Sequence, residues 1–365
     1  MHVDRLVLRQ FRNHEESDIA LHTGVNVFEG KNAQGKTSIL EGLYLCLTGR
    51  SFRCHQLKPL LREGSSFFSV EIHFTKRGIQ QQVRFSFDGN ERTIFHNNVP
   101  CSGTAELLSI FQGVLLSMSD MHLIKGAPQQ RRQFIDLHLA QSSTSYTRQL
   151  ARYQRAMRQR NHQLRSQRLH GIEVWEEEMA RAGAYIVHQR KKAVEQISKR
   201  ASHRYEQIAD GETLQLAYKT QVPSEEDSEI QSFLFDRFQE LREKEAMLGH
   251  TLTGPHRDDI QIRMESRRGK EFASEGQQYG CVAALRLAEW DYLREKIDDI
   301  PILLIDDVGL PLDTTRKKKL FSLLKGTGQV LLTTPQSLPQ SSINESYAHH
   351  RVSHGRVTTS DSSCS

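Results

Sequence analysis

Apolar positions along this chain change rhythm twice. In the first hundred residues Phe68, Val70, Ile72 and Phe74 alternate with polar neighbours, and so do Val83, Phe85 and Phe87. A period of two predicts half-buried antiparallel strands. Leu6-Val7-Leu8, Ile19-Ala20-Leu21 and Thr93-Ile94-Phe95 are further strand candidates, with Asp88-Gly89-Asn90 as a hairpin turn after Phe87. The middle of the chain is helical in pattern. From Arg131 to about Glu245 the only proline is Pro223, and Tyr146, Leu150, Tyr153, Met157 and Leu164 share one helix face. After Gly171 the spacing resumes through Trp175, Met179, Ala182, Ile186, Val194 and Ile197, which predicts a helical hairpin. Val222 to Asp227 reads as a loop and Ile230 to Leu241 as an amphipathic helix. Strand patterns return at Ile260 to Met264 and Ile302 to Ile305, and the polar stretch from Thr358 to Ser365 is expected to be disordered.

One break in this pattern carries chemistry. Val25-Asn26-Val27-Phe28 predicts a strand, and Ile39, Leu40, Leu43, Tyr44 and Leu47 predict a helix across Ser38 to Thr48. Between them lies Gly30-Lys31-Asn32-Ala33-Gln34-Gly35-Lys36-Thr37, a complete G-x-x-x-x-G-K-[ST] phosphate loop. Gly30 and Gly35 let backbone N–H groups curl around phosphates. Lys36 reaches the β- and γ-phosphates, and the Thr37 hydroxyl can join the shell of a Mg²⁺ ion. The strand–loop–helix setting marks a nucleotide-binding protein.

Pro301-Ile302-Leu303-Leu304-Ile305-Asp306-Asp307 supplies the other half of such a site. Its apolar run suits a buried parallel strand, and the carboxylates fall at the C-terminal end, where these sheets place ligands. Asp306 is expected to hold Mg²⁺ and Asp307 to orient or deprotonate the attacking water.

The 365 residues leave room for two domains, and 37% hydrophobic with 25% charged residues fits a globular protein. A formal charge of only +5 means that nucleic-acid affinity has to come from how the charge is distributed. No apolar run approaches the length of a membrane span, and no signal peptide is read at the start. The five cysteines are scattered and lack metal-ligand spacing, which points to the cytoplasm. Charge is indeed unevenly placed: Gln141 to His170 holds seven arginines and no acidic residue. Arg148, Arg152 and Arg155 fall within about 40° of their mean direction on a helix. That stripe is the candidate DNA-binding surface.

Ser274-Glu275-Gly276-Gln277, 29 residues before Asp306 counting from Gln277, resembles the signature of ABC-type ATPases. With Phe11-Arg12-Asn13, Gly49-Arg50-Ser51-Phe52-Arg53, Leu123-Ile124-Lys125-Gly126, Arg131-Arg132 and Gly254-Pro255-His256-Arg257-Asp258-Asp259, the chain resembles the RecF family of bacterial DNA-repair and replication proteins along nearly its whole length. The resemblance implies an α/β fold: an ABC-type P-loop ATPase head, a mixed sheet with helices, split by a mainly helical second lobe. The expected divisions are 1–125 and 246–357 for the head, 126–245 for the lobe, and 358–365 for the tail.

It also implies ATP with Mg²⁺ as cofactors and slow, DNA-stimulated hydrolysis. Catalytic residues would be Lys36, Asp307 and Ser274. Arg12, Asn13, the loop from Gly30 through Ser38, Gly276 and Gln277 would bind nucleotide, and Thr37 and Asp306 the metal. ATP would drive a head-to-tail homodimer that clamps double-stranded DNA near junctions with single strands. RecO and RecR would be partners in loading the recombinase. Three departures from the family pattern stand out: Leu310-Pro311-Leu312-Asp313 for Ser-x-Leu-Asp, Tyr279-Gly280 for Arg-Thr, and Leu116-Ser117-Met118-Ser119-Asp120 before Leu-Ile-Lys-Gly. The first motivates an alternative, a scaffold that binds ATP and DNA and scarcely hydrolyses. A small-molecule kinase is disfavoured, because nothing resembles an acceptor pocket.

Overall fold

The computed structural model describes residues 1–209, 211–265, 267–268, 273–308, 311–336 and 347–362. They form two compact units. The first comprises Met1–Met121, His203–Glu212 and Ala273–Ser365, and the second His122–Ser202 and Thr213–Phe272.

The first unit contains two sheets. In chain order its strands are β1 (His2–Phe11), β2 (His14–Ala20), β3 (Val25–Glu29), β4 (Phe68–Lys76), β5 (Ile79–Phe87), β6 (Arg92–His96), β7 (Val99–Pro100) and β8 (Gly113–Leu116). The second unit supplies β9 (Leu214–Lys219), β10 (Asp259–Met264) and β11 (Arg267–Arg268). The first unit resumes with β12 (Ile302–Ile305), β13 (Val330–Thr334), β14 (Tyr347–Ser353) and β15 (Arg356–Ser362).

One sheet is antiparallel, in the order β2-β1-β4-β5-β6-β7. The period-two strands belong to it: Phe68, Val70, Ile72 and Phe74 are all buried while their neighbours are partly exposed. Asp88 closes the β5–β6 hairpin, its Oδ1 accepting from Asn90 N–H at 2.9 Å and Glu91 N–H at 2.7 Å.

The other sheet runs β15-β14-β3-β13-β12-β8. From β14 to β8 every pairing is parallel. All residues of β8, β12 and β13 are buried, which is why β12 reads as an unbroken apolar run and β13 as one up to Thr333. The helix Lys36–Thr48 packs its Ile39, Leu40, Leu43 and Leu47 into one core with Leu8, Val70 and Phe85 of the first sheet and Phe28, Leu304 and Leu331 of the second. A helix so enclosed is apolar on most sides rather than along a stripe.

Thr358 to Ser362 correct the expectation of a disordered tail. They belong to β15, paired antiparallel to β14 from Ser353↔Arg356 to Tyr347↔Ser362. The cause is β-branched Val357, Thr358 and Thr359 facing a ready-made edge, with Thr359 Oγ1 2.9 Å from His350 Nδ1. Residues 363–365 lie outside the described part.

The second unit is mainly helical, with Pro128–Ser142, Thr144–Ser166, Ile172–Ile208 up to Ser202, Asp227–Glu240 and Arg242–Leu248 as its principal helices; from His203 on the third of these belongs to the first unit. The predicted hairpin is the pair Thr144–Ser166 and Ile172–Ile208. The sheet β11-β10-β9 accompanies it. The expected divisions at 125/126 and 245/246 compare with changes of unit at 121/122 and 272/273.

Candidate nucleotide-binding site

Strand β3 delivers the chain to the phosphate loop, and the helix Lys36–Thr48 carries it away. The turn needs left-handed backbone at Ala33 (φ 64°) and Gly35 (φ 112°). At Gly35 a side chain has no room either, because a Cβ would lie 2.8 Å from the amide of Asn13 and from His14 Nε2. Lys36 is almost fully buried, and its ammonium donates to the carbonyls of Gly30 at 2.7 Å and Lys31 at 2.9 Å. Burial pushes its pKa down, while Asp307 and Asp306 pull it back up. The loop thus folds a cation onto its own carbonyls, at the place where anionic oxygens would otherwise meet it.

The structure brings the predicted carboxylates to this loop. Thr37 Oγ1 donates to Asp306 Oδ1 at 2.9 Å, across 269 residues of sequence. Thr333, on the adjacent strand β13, donates to the same Oδ1 at 2.8 Å. The Thr333 hydroxyl also accepts the Asp307 N–H at 2.7 Å, so one side chain holds both aspartates. Burial pushes the Asp306 carboxyl up, opposed by the hydrogen bonds from Thr333 and Thr37. Asp307 turns away from the strand in left-handed backbone (φ 51°). Its Oδ1 is buried and has no hydrogen-bond partner among the described residues.

A hydroxyl and a carboxylate converge here beside an unsatisfied carboxylate oxygen. That all-oxygen donor set fits a hard divalent cation such as Mg²⁺.

Other expected residues are placed differently. Asn13 is exposed beside Gly35, whereas the Arg12 guanidinium is engaged. Arg12 Nε and Nη2 donate to the two oxygens of buried Glu41 at 2.9 and 2.7 Å, and Nη1 to Pro59 O at 2.9 Å. Lys31, Asn32 and Ala33 are exposed, and Ser38 is buried in the first helical turn. Gln34 is tied to the β14–β15 turn: its carbonyl accepts from Gly355 N–H at 3.0 Å and its Oε1 from His354 N–H at 2.7 Å.

Ser274 caps the helix Glu275–Lys296 in a capping box. Its Oγ accepts the Gln277 N–H at 3.3 Å, and Gln277 Oε1 accepts the Ser274 N–H at 3.0 Å. Among the described residues no hydrogen bond or ion pair joins Ser274, Gly276 or Gln277 to the phosphate loop. Leu310 lies outside them. Asp313 caps the helix Thr314–Leu323 by accepting the Arg316 N–H at 2.9 Å.

Two contributors were given no role in the sequence reading. His14 is buried beneath the loop, its Nε2–H donating to Gly35 O at 3.1 Å and its Nδ1 2.9 Å from Ser17 Oγ. Burial lowers its pKa. Thr333 had a weak signal, lying at the end of the strand beside Asp306, where many ABC ATPases carry a histidine.

In the second unit Arg148, Arg152 and Arg155 are exposed on Thr144–Ser166. Arg152 pairs with Glu178 at 2.6 and 3.0 Å. Arg160, another of the seven arginines between Gln141 and His170, is fully buried. The Gly254–Asp259 segment is bound within the same unit. His256 Nε2–H donates to Thr251 O at 3.2 Å while Nδ1 accepts the Tyr153 hydroxyl at 2.7 Å. Arg190 donates to Pro255 O at 2.6 Å, Arg132 to Asp258 O at 2.7 Å, and Arg131 to Asp259 at 2.7 and 3.0 Å.

A phosphate loop after β3, paired aspartates after β12 and a capped S-x-G-Q helix define a P-loop ATPase head of the ABC type. A family model described as an AAA domain matches residues 5–271. The fold is similar to a solved Smc head bound to the C-winged helix domain of ScpA, with TM-score 0.60, 16% identity and 99% of each chain covered. A solved structure of the recombination mediator protein RecF with ATP, in the RecFOR pathway, aligns with TM-score 0.90 and 26% identity, over 98% of this chain and 97% of that one. The DNA replication and repair protein RecF of Protochlamydia amoebophila is 38% identical over 332 residues, covering 90% of this chain and 92% of that protein. RecF of Clostridium novyi is 30% identical over 341 residues, covering 90% and 94%. The chain belongs to the RecF family of DNA replication and repair proteins. No helix among the described residues is long and apolar enough to cross a membrane.

Proposed function

We propose that this chain is an ATP-switched DNA clamp of recombinational repair in the cytoplasm, a slow ATPase stimulated by DNA. The observation that carries the reading is the 2.9 Å bond from Thr37 to Asp306, with buried Lys36 and the unpartnered Asp307 oxygen in the same site. In this reading the N–H groups from Gly30 to Ser38 surround the phosphates of ATP. Lys36 exchanges its two carbonyl partners for phosphate oxygens. Thr37 and Asp306 would hold Mg²⁺, which would supply positive charge against the phosphates. Asp307 accepts the proton of the attacking water. Arg12, held by Glu41, and Asn13 flank the adenine.

Ser274, Gly276 and Gln277 act on the nucleotide of a second copy. The Ser274 oxygen accepts from Gln277 N–H, so its own proton is free to donate to a γ-phosphate oxygen. Two copies therefore close head to tail over two nucleotides, grip duplex DNA near a single-strand junction through Arg148, Arg152 and Arg155, and let go on hydrolysis. RecO- and RecR-type mediators are the partners this predicts, since the solved relative is described as a recombination mediator in the RecFOR pathway.

Sedimentation of the purified protein with and without Mg-ATP and a gapped duplex tests the proposal. A DNA-bound dimer that forms only with ATP supports it, and a monomer unmoved by ATP overturns it. The scaffold reading is favoured by Leu310-Pro311, which stands where the family pattern has Ser-x; dimerisation on DNA without turnover would select it.

A further inference from the structure

We infer that Glu212 is the positioning residue of the signature motif, holding Gln277 and with it Ser274 in the geometry that a second copy's nucleotide would meet. This rests on the dimer reading above. Three side chains converge on the one carboxylate. Arg316 Nη2 donates to Oε1 at 2.7 Å. Gln277 Nε2 donates to Oε2 at 3.1 Å, and the hydroxyl of Tyr205, whose side chain is buried, donates to the same oxygen at 2.7 Å. All four residues belong to the first unit.

The chemistry explains why the contact matters for Ser274. The Gln277 amide has two ends and both are used: Oε1 accepts the Ser274 N–H, and Nε2 is spent on Glu212. Glu212 therefore fixes which way the amide faces, and so keeps one of the two bonds of the capping box. Without it the amide can rotate, and Ser274 is held by its Oγ alone.

The same carboxylate reaches the loop beyond Asp307. Arg316 is bonded through its backbone to Asp313, the cap of the next helix, and its Nε lies 3.7 Å from that carboxylate. Packing supports the polar contact. At Gly280 an added Cβ would lie 3.4 Å from Ile208 and 3.6 Å from Tyr205, so the signature helix sits closely on the segment that ends in Glu212. The Tyr279-Gly280 departure from the family pattern falls at this seat. Glu212 is also the last residue before the chain leaves the first unit, and Ala273, beside Ser274, is the first on its return.

The test compares wild type, Glu212→Ala and Tyr205→Phe in two assays: titration with a fluorescent ATP analogue, and sedimentation with Mg-ATP. Glu212→Ala should keep its affinity for the analogue within about twofold and weaken ATP-dependent dimerisation by about tenfold or more, the scale of hydrogen bonds to a charged group. Tyr205→Phe, which removes one donor and no charge, should weaken dimerisation by about threefold to tenfold. It keeps the test decisive should Glu212→Ala fail to fold. Dimerisation of both folded variants at the wild-type level overturns the inference. So does a parallel fall in analogue affinity, which would mark a general structural role. A wild-type protein that stays monomeric with ATP defeats the dimer reading and this inference together.

Discussion

The second unit and the phosphate loop of the first bury charge in opposite ways. In the second unit, fully buried Arg160 donates to Glu176 at 3.0 and 3.2 Å, Thr251 Oγ1 at 2.9 Å and Phe238 O at 3.0 Å, and its guanidinium lies 2.6 Å from the carboxylate of Glu245 as an ion pair. Arg190 is likewise spent on Asp136, Tyr146 and Pro255. In the first unit the buried groups around the phosphate loop hold makeshift partners. Lys36 leans on two carbonyls, Asp306 on two hydroxyls, and one Asp307 oxygen has none among the described residues. Burial alone does not mark a functional charge. A buried charge that has an opposite charge among its partners is architecture; one propped on neutral groups alone is waiting for a ligand.

The contrast breaks most readily at Arg160. Arg160→Ala leaves buried Glu245 without its arginine and Glu176 with Arg242 alone, and should destabilise the second unit by about 3–5 kcal/mol, read as a lowered denaturant midpoint. An equal loss from Lys36→Ala would erase the distinction between the units, since that side chain only leaves carbonyls behind. Asp307→Asn sharpens it from the other side. Turnover should fall by about 10²–10⁴-fold with stability scarcely changed, measured as phosphate release beside thermal unfolding. Unaltered turnover would remove Asp307 from the chemistry.

Acid titration separates the units more gently. Burial lowers His256 to about 4, so between pH 6.5 and 4 the unfolded chain takes up a proton that the folded one refuses. Stability should fall through that window as pH drops, by at most about 3 kcal/mol, and the fall should flatten in His256→Gln. His14→Gln should flatten the part that belongs to the first unit, because its pKa is lowered in the same sense. The smallest effects concern the arginine stripe. Replacing Arg148, Arg152 and Arg155 together should reduce the slope of log affinity against log salt by up to about 2.7 if each touches a phosphate. Glu178→Gln, which frees Arg152, should tighten DNA binding by about twofold to threefold; weaker binding would show that the ion pair orients the arginine.

The nucleotide site was legible because its demands are local or strictly patterned. Gly30, Gly35, Lys36 and Thr37 each have one job within eight residues, and a fully buried parallel strand has to read as an apolar run before Asp306. Ser274 and Gln277 form a capping box, again a local rule. What escaped is set by distant pairing. Arg160 looked like one more arginine on a solvated face, because Glu176 and Glu245 arrive from other helices. Arg12 was read toward the nucleotide, and its tether to Glu41 through Nε and Nη2 went unread. His349 and His350, unremarkable as metal ligands, are sheet residues: His350 stacks on Phe28 at 4.6 Å, and His349 pairs with Glu29 at 2.8 Å. Strand β9 went unnoticed because only Leu214 in it is fully buried, leaving no alternation to read.

The pairing of β3 also sets a timetable for synthesis. The strand that launches the phosphate loop is flanked by β13 and β14, both made more than 300 residues later. At about 5–20 residues per second, a nascent chain carries the loop for roughly 15–60 seconds before either neighbour leaves the ribosome. During that interval β3 has no sheet to join, and its apolar flanks are a natural cargo for chaperones. A transcript cut short of Val330 would encode every residue of the loop and both aspartates, yet yield no place for ATP to sit.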